Sequence, residues 1–489
     1  MTDIILVFPQ TGMWEKISLR LPLSLMHVAA PLEQAGFNVK IIDQRVEKGW
    51  RDILRSDLRE KPLFVGVTSM TGAQIEHALE ISNFVKSISD ATVVVWGGVH
   101  VSLLPEQTLR NPLIDIGVIG EGDITAVELA QALSNKSDLC TVRGIIYKQN
   151  GRVTKAPARD FIADLDILPP VPYHLINLGL YDSFNYKGER SLDLHTSRGC
   201  PFSCSFCYNT VYNKRRWRSF SAERTVEEIE RMIDQYGINN IFFQDDNFCV
   251  DLNRVEKIVS LILTKGLKIR FGLMGVRVDT LNRMDDSLLG DLHRAGCINL
   301  DVGVESGSDR ILSSIQKGIT VDDVLRANER IRRFPFNVKY TFIIGWPGEK
   351  ETEIRETLKL AQRLSATNKG AYTPFYVAAP YPGTQLSQEA ERFGYKPPKK
   401  LEDWRTFNRD AWYLNNPCWL SKKMISKLKM ITFISFLCNK NVTFKITNRI
   451  YKILFYIYYP IAWLRLVTSF YGLPLELRLE KLLNRLVDI

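Results

Sequence analysis

The stretch His195-Thr-Ser-Arg-Gly-Cys-Pro-Phe-Ser-Cys-Ser-Phe-Cys-Tyr208 places three thiols, Cys200, Cys204 and Cys207, within eight residues. Thiolates this close in sequence can wrap three corners of an iron–sulfur cubane and leave the fourth iron open to a small molecule. A closed structural zinc site wants four nitrogen or sulfur ligands, and no fourth cysteine stands nearby. The competing reading is three thiols that share a loop by chance.

Around this loop, apolar runs alternate with helical periodicity. Residues 192–196, 240–244, 269–273, 298–302, 338–344 and 372–377 read as strands. Thr225-Val-Glu-Glu228 reads as a capping box that opens a helix ending at Gly237. Six strand–helix units are too few for a closed eight-stranded barrel. Polar residues collect where these strands end: Asp245-Asp246-Asn247, Arg277-x-Asp279, Glu305-Ser-Gly307 and Gly345-Trp-Pro-Gly-Glu349. Strand ends are where such folds place their working groups. Asp246 reads equally as a helix cap. The 345–349 turn and Pro380-Tyr-Pro-Gly-Thr384 read equally as tight turns, and Cys249 and Cys297 as packing thiols.

Upstream, residues 4–8, 39–43, 63–67, 92–96 and 114–118 read as buried parallel strands, with amphipathic stretches at 22–35, 73–88 and 124–134. The pattern predicts an α/β, doubly wound, Rossmann-like sheet whose ligand lies beyond the strands' carboxyl ends. Three of those ends are Thr68-Ser-Met-Thr71, Gly97-Gly-Val-His100 and Gly120-Glu-Gly-Asp123. Small hydroxyl residues and paired glycines let backbone approach a bulky ligand closely. His100 reads equally as a cap on the following helix, and the sheet equally as a scaffold without a ligand.

A chain of 489 residues calls for two or three domains. Cys140, Cys249, Cys297, Cys418 and Cys438 read as buried thiols, not disulfides. The opening Met1-Thr-Asp-Ile-Ile-Leu-Val-Phe lacks a basic region followed by an export segment, so a reducing cytoplasm is expected. Of the net charge of +10, most lies in residues 421–489, where twelve Lys/Arg face Glu476, Glu480 and Asp488. The remainder is nearly neutral, and the basic tail lacks the single aromatics among cations that a nucleic-acid stacking platform needs.

The Cys-x3-Cys-x2-Cys spacing, with Phe206 before the last cysteine, resembles the signature of the radical S-adenosylmethionine (SAM) enzymes. The strand-end patterns Thr-Ser-x-Thr, Gly-Gly-x-His and Gly-Glu-Gly resemble the cobalamin-binding domain that precedes the radical SAM core in one branch of that superfamily, mostly methyltransferases. The resemblance covers residues 3–385 and implies a partial (β/α)6 barrel carrying a [4Fe-4S] cluster on Cys200, Cys204 and Cys207. It also implies SAM contacts at Phe206, Asp245 (amino group), Glu305 (ribose) and Gly345. For cobalamin it implies contacts at Thr68, Ser69, Gly97, Gly98, His100, Gly120 and Glu121. No Asp-x-His-x-x-Gly is present, since Asp43-Gln-Arg-Val lacks the histidine, so the lower face of cobalamin is expected to lack a histidine ligand. In the chemistry implied, one SAM methylates cobalamin and a second yields the 5′-deoxyadenosyl radical that activates an unreactive carbon. An external reductase, flavodoxin or ferredoxin is the implied electron donor. The branch also holds non-methylating members such as the anaerobic magnesium-protoporphyrin cyclase. A non-enzymatic alternative is a membrane-associated cobalamin or redox sensor, against which the intact triad speaks.

The domain reading is 1–137 for cobalamin, 138–190 as linker, 191–388 for the radical SAM core and 389–489 as a mostly helical, basic and aromatic module. The linker is stiff, with a hairpin turning at Asn150-Gly151 and the non-helical Leu168-Pro-Pro-Val-Pro-Tyr173. In the last module, Trp404, Trp412, Trp419 and Trp463 mix with lysines, and the apolar run 453–464, bounded by Lys452 and Arg465, is too short to span a bilayer. Such a tail suits peripheral contact with a membrane surface and a lipid or isoprenoid substrate, as in the hopanoid methylases. A helical cap with solvated lysines is the alternative.

Overall fold

The computed structural model describes residues 2–12, 19–181, 189–407, 418–438 and 449–468. They fall into two compact units. One comprises Met1–Cys200, Tyr208–Gln244 and Lys396–Arg409, the other Pro201–Cys207, Asp245–Tyr395 and Asp410–Ile489. The units divide the chain inside the cysteine loop and after residue 244.

In the first unit, β1 (Ile4–Phe8), β2 (Val39–Asp43), β3 (Phe64–Thr68), β4 (Val94–Gly97) and β5 (Ile116–Val118) form parallel pairs. Two further strands, β6 (Ile145–Gln149) and β7 (Arg152–Lys155), complete the sheet order β2-β1-β3-β4-β5-β6-β7. The strands are apolar because helices cover both faces of a parallel sheet: Ile4, Ile5, Val65, Val94 and Trp96 are wholly buried. The expected helices appear at Leu23–Gln34, Gln74–Ile88 and Asp123–Ser134. An additional helix, Trp50–Leu58, buries only Trp50, Leu54, Asp57 and Leu58, a thin stripe in a charged segment. The hairpin forms with left-handed Asn150 and Gly151, as a two-residue turn requires. It belongs to the sheet, not to a connector, because β6 pairs antiparallel with β5 and covers that edge.

The same unit holds β8 (Ser191–Leu194), the short ribbon of β9 (Ser197–Arg198) with β10 (Arg218–Ser219), and β11 (Asn240–Phe243), which is parallel to β8. The helix expected from Thr225 starts earlier, at Ala222, because Ser221 accepts from the Arg224 amide; the Thr225 hydroxyl instead donates to the Ser221 carbonyl. The helix stops at left-handed Gly237, as expected.

The second unit continues the strand series with β12 (Arg270–Arg277), β13 (Cys297–Glu305) and β14 (Asn337–Ile344), all parallel. The run 372–377 divides into β15 (Ala371–Tyr372) and β16 (Phe375–Val377), both paired with β14. Pro374, which has no amide to donate, separates them. Leu300, Val302 and Val304 are sealed, whereas Asn299, Asp301 and Gly303 on the alternate face of β13 remain partly open. Two helices, Lys422–Leu437 and Arg449–Thr468, complete this unit.

None of the eight cysteines forms a disulfide. Cys249 and Cys297 are buried packing thiols, with burial pushing Cys249 up to about 12 and Cys297 higher still. Cys140, expected inside, is exposed, and Cys418 and Cys438 are half-buried. Trp412 lies outside the described residues.

Candidate functional site

The approach to Cys200 is fixed within the first unit. Gly199 is left-handed, and a Cβ there would stand 2.0 Å from the Arg216 carbonyl oxygen, so only glycine fits. One residue earlier, Arg198 donates to both carboxylate oxygens of Asp123, at 2.9 and 2.8 Å, and to Glu121 at 3.0 Å. Arg218, opposite Arg198 on the ribbon, donates to both oxygens of Glu121 at 2.8 and 2.9 Å. Burial alone would raise the Asp123 carboxyl, but the charge and hydrogen bonds of Arg198 outweigh it and hold the group below the carboxylate range. Glu121, read as a cobalamin contact, is thus engaged by two arginines and the Ile162 amide. Sequence reading missed this buried four-charge cluster because its members are far apart in the chain.

The other strand-end residues form a tight backbone cradle. Ser69 donates through its amide (2.9 Å) and hydroxyl (3.1 Å) to the Gly97 carbonyl, and its own carbonyl accepts from the His100 amide. Gly98 is left-handed, and a Cβ there would reach within 2.7 Å of the Ser69 carbonyl and 3.1 Å of the Thr68 hydroxyl. Gly120 is also left-handed but has nothing within 4 Å of an added Cβ. Met70 is half exposed beside these turns. Open glycine backbone bordered by hydroxyls fits a large, flat ligand such as cobalamin. His100 is wholly buried, hydrogen-bonded to the Thr71 hydroxyl at 2.9 Å and edge-on to Trp404, and burial lowers its pKa to about 3. It is a neutral ring that props the 69–71 turn. Asp43, where the cobalt-ligating signature would begin, is paired with Arg45 and accepts from the Tyr181 hydroxyl.

In the second unit the cysteine loop is pinned by backbone. Ser205 donates to the Ile315 carbonyl and accepts from the Leu386 amide, and Cys207 donates to the Cys204 carbonyl. Phe206 packs on Trp346 with ring centroids 5.3 Å apart. Cys204 is buried, and its Sγ accepts from Arg277 at 3.5 Å. Among the described residues, no three His, Cys, Asp or Glu side chains converge as ligands of one metal ion would. Thiolates of an iron–sulfur cluster need not converge so, since each binds a separate iron. Three cysteines on one anchored loop, one of them beside a guanidinium, are the donor chemistry a [4Fe-4S] cluster requires.

Two of the predicted SAM residues, Glu305 and Gly345, lie at strand ends of this unit. Asp245, two residues past Phe243, the last of β11, is 3% exposed. Glu305 closes β13 in a left-handed conformation (φ 71°) at a register shift, and its carboxylate accepts from the buried Lys317 ammonium at 2.6 Å. Left-handed non-glycine residues cost energy and are held by their surroundings. Lys317 carried no sequence signal. Gly345 is left-handed; its amide donates to Glu349 at 2.6 Å and its carbonyl accepts from the Trp419 indole at 2.9 Å. Glu349 Oε1 is buried without a partner, and burial raises this carboxyl from 4.5 to about 8. A folded-state pKa above the unfolded value means the folded chain holds the extra proton. Stability from this group is present below about 4.5 and is lost as pH rises to about 8. The melting temperature of the unaltered chain is therefore expected to fall by several degrees relative to Glu349→Gln between those limits; parallel melting curves across that range contradict the assignment.

Comparison with known proteins gives two family matches: the radical SAM superfamily over residues 194–361 and the B12 binding domain over residues 21–130. An uncharacterized methyltransferase of Pyrococcus horikoshii is 36% identical over 371 residues, covering 76% of this chain and 78% of that protein. The cytidylyl-2-hydroxyethylphosphonate methyltransferase of Streptomyces wedmorensis is 26% identical over 78% of this chain and 79% of its own length. The anaerobic magnesium-protoporphyrin IX monomethyl ester cyclase of Rubrivivax gelatinosus is 27% identical over 75% of this chain and 66% of its own. In fold, the cobalamin-dependent SAM radical enzyme OxsB superposes with a TM-score of 0.74 at 20% identity, covering 94% of this chain and 70% of that one.

Proposed function

The chain belongs to the radical SAM superfamily and carries a B12-binding domain, and from that premise we propose that it transfers a methyl group to an unactivated carbon of a small-molecule substrate. It is an enzyme of the [4Fe-4S] cluster, SAM and cobalamin. When bound, these groups supply one-electron cleavage of SAM and a transferable methyl group, chemistry that side chains lack. The residues supply position. Cys200, Cys204 and Cys207 hold the cluster, Phe206 walls it, Asp245 accepts from the SAM amino group, Glu305 from the ribose, and the Gly345 turn borders the site. Thr68, Ser69, Gly97, Gly98 and Gly120 admit cobalamin against bare backbone, with His100 and Glu121 supporting that cradle from beneath. An external flavodoxin, ferredoxin or reductase feeds the cluster.

The observation that carries methyl transfer is the likeness to the Pyrococcus horikoshii methyltransferase across three quarters of the chain. The Rubrivivax gelatinosus cyclase supports a second reading, oxidative ring closure without methylation. Incubation of the loaded enzyme with methyl-deuterated SAM and candidate substrates separates them. Deuterium in the product supports methyl transfer, and an unlabelled product that has lost hydrogens supports cyclisation.

A lipid or isoprenoid substrate taken from a membrane surface is the finer reading. It rests on the helix Arg449–Thr468, where Tyr456, Ile457, Pro460, Ile461 and Leu464 form one exposed stripe beside exposed Trp463. The other face is packed, with Ala462, Leu466 and Arg465 buried, so Arg465 is no headgroup cation. Trp404 is likewise packed, and Trp419 is tied to Gly345. No helix of the described residues is long and apolar enough to cross a membrane. The chain is expected to float with vesicles rich in anionic lipid, and Ile457→Asp/Ile461→Asp to weaken flotation roughly tenfold or more by removing two exposed apolar anchors. Equal flotation of both proteins contradicts this reading.

A further inference from the structure

Arg277, the last residue of β12, is 5% exposed and uses its whole guanidinium. Nε donates to Asp279 at 2.9 Å, Nη2 to the Lys317 carbonyl at 2.5 Å, and Nη1 to Cys204 Sγ at 3.5 Å. The plane lies 3.6 Å from the ring centroid of Phe202, which sits between the first two cysteines. The Lys317 ammonium is 5.9 Å from the ring of Phe206 and is paired with Glu305. Both aromatic residues of the cysteine loop therefore carry a cation on their faces, and Arg277 also reaches a thiol.

We infer that Arg277 is a positioning residue of the cysteine loop, whose buried cation makes the cluster held there easier to reduce. For the presence of a cluster this rests on the proposed function. Reduction adds one negative charge to a cluster and its thiolates. A guanidinium at hydrogen-bond distance from a ligating sulfur stabilises that charge, and hydrogen bonds to sulfur are a principal control of cluster potential. Arginine stays charged at every working pH. Asp279 opposes it, but its side chain is 33% exposed against 6% for Arg277, so solvent screens the aspartate more. The rigid fork also explains why lysine is a poor substitute: one ammonium cannot meet Asp279, the Lys317 carbonyl and Cys204 together.

The test uses the full chain, reconstituted anaerobically with iron and sulfide. Electron paramagnetic resonance measures the ratio of reduced to oxidised cluster at the midpoint potential of the unaltered protein. Arg277→Met is expected to lower that ratio about tenfold, equivalent to about 59 mV for one electron. Asp279→Asn, which removes the opposing charge and leaves the arginine, is expected to raise it. An unchanged ratio in Arg277→Met overturns the inference, whatever Asp279→Asn does. If Arg277→Met takes up no iron, Asp279→Asn decides alone: a rise supports the inference and no change overturns it. Failure of the unaltered chain to build a cluster would instead overturn the proposed function.

Discussion

Cys204→Ala is expected to abolish SAM cleavage, with 5′-deoxyadenosine falling to background, while cobalamin uptake stays close to that of the unaltered chain. A cubane bound by three thiolates has no spare ligand, and removing one leaves two irons attached. The truncation itself is small. A single buried sulfur lost from a loop still pinned through Ser205 and Phe206 is expected to cost on the order of 1–2 kcal/mol, which leaves the fold intact. The cobalamin cradle lies in the other compact unit and shares no residue with the loop. Deoxyadenosine is quantified by mass spectrometry and cobalamin by visible absorbance after gel filtration. Persistent cleavage would remove Cys204 from the ligand set, and lost cobalamin would mean that the two sites fold as one.

Lys317→Met is expected to destabilise the chain by about 3–5 kcal/mol, because it leaves the Glu305 carboxylate buried with its cation gone. The pair is 2.6 Å apart, with side chains only 7% and 8% exposed, so water cannot replace the lost ammonium. Replacing both members, as Glu305→Gln/Lys317→Met, removes the uncompensated charge and is expected to recover part of the loss. Chemical denaturation followed by circular dichroism measures both. A single variant within about 1 kcal/mol of the parent would show that the pair is as weak as a surface ion pair and does not hold Glu305 in its left-handed conformation.

The sequence disclosed what is local and periodic. Apolar runs and their turns located β1 to β5, because burial on both faces of a parallel sheet leaves a contiguous signal, and the strands of the second unit, where sealed residues alternate with partly open ones. The cysteine spacing is likewise local, and Gly98, Gly199, Gly237 and Gly345 all adopt the left-handed conformations that glycine permits. Pairings between distant residues were invisible. Arg198 meets Asp123 across 75 positions, Arg277 meets Cys204 across 73, and the β5–β6 pairing drew the hairpin out of the linker and into the sheet. The aromatic tail misled for the same reason: composition cannot tell buried Trp404 from exposed Trp463. Helix Trp50–Leu58 escaped notice because its apolar stripe is three residues in a charged segment.

Whether one chain couples cobalamin to radical SAM chemistry for methyl transfer is decided by counting products. The reconstituted protein is incubated anaerobically with cobalamin, SAM and a strong reductant, and 5′-deoxyadenosine and S-adenosylhomocysteine are quantified together by mass spectrometry. Both products are expected, with S-adenosylhomocysteine formed only when cobalamin is present. Deoxyadenosine alone, unchanged by cobalamin, would contradict methyl transfer and leave ring closure as the reading.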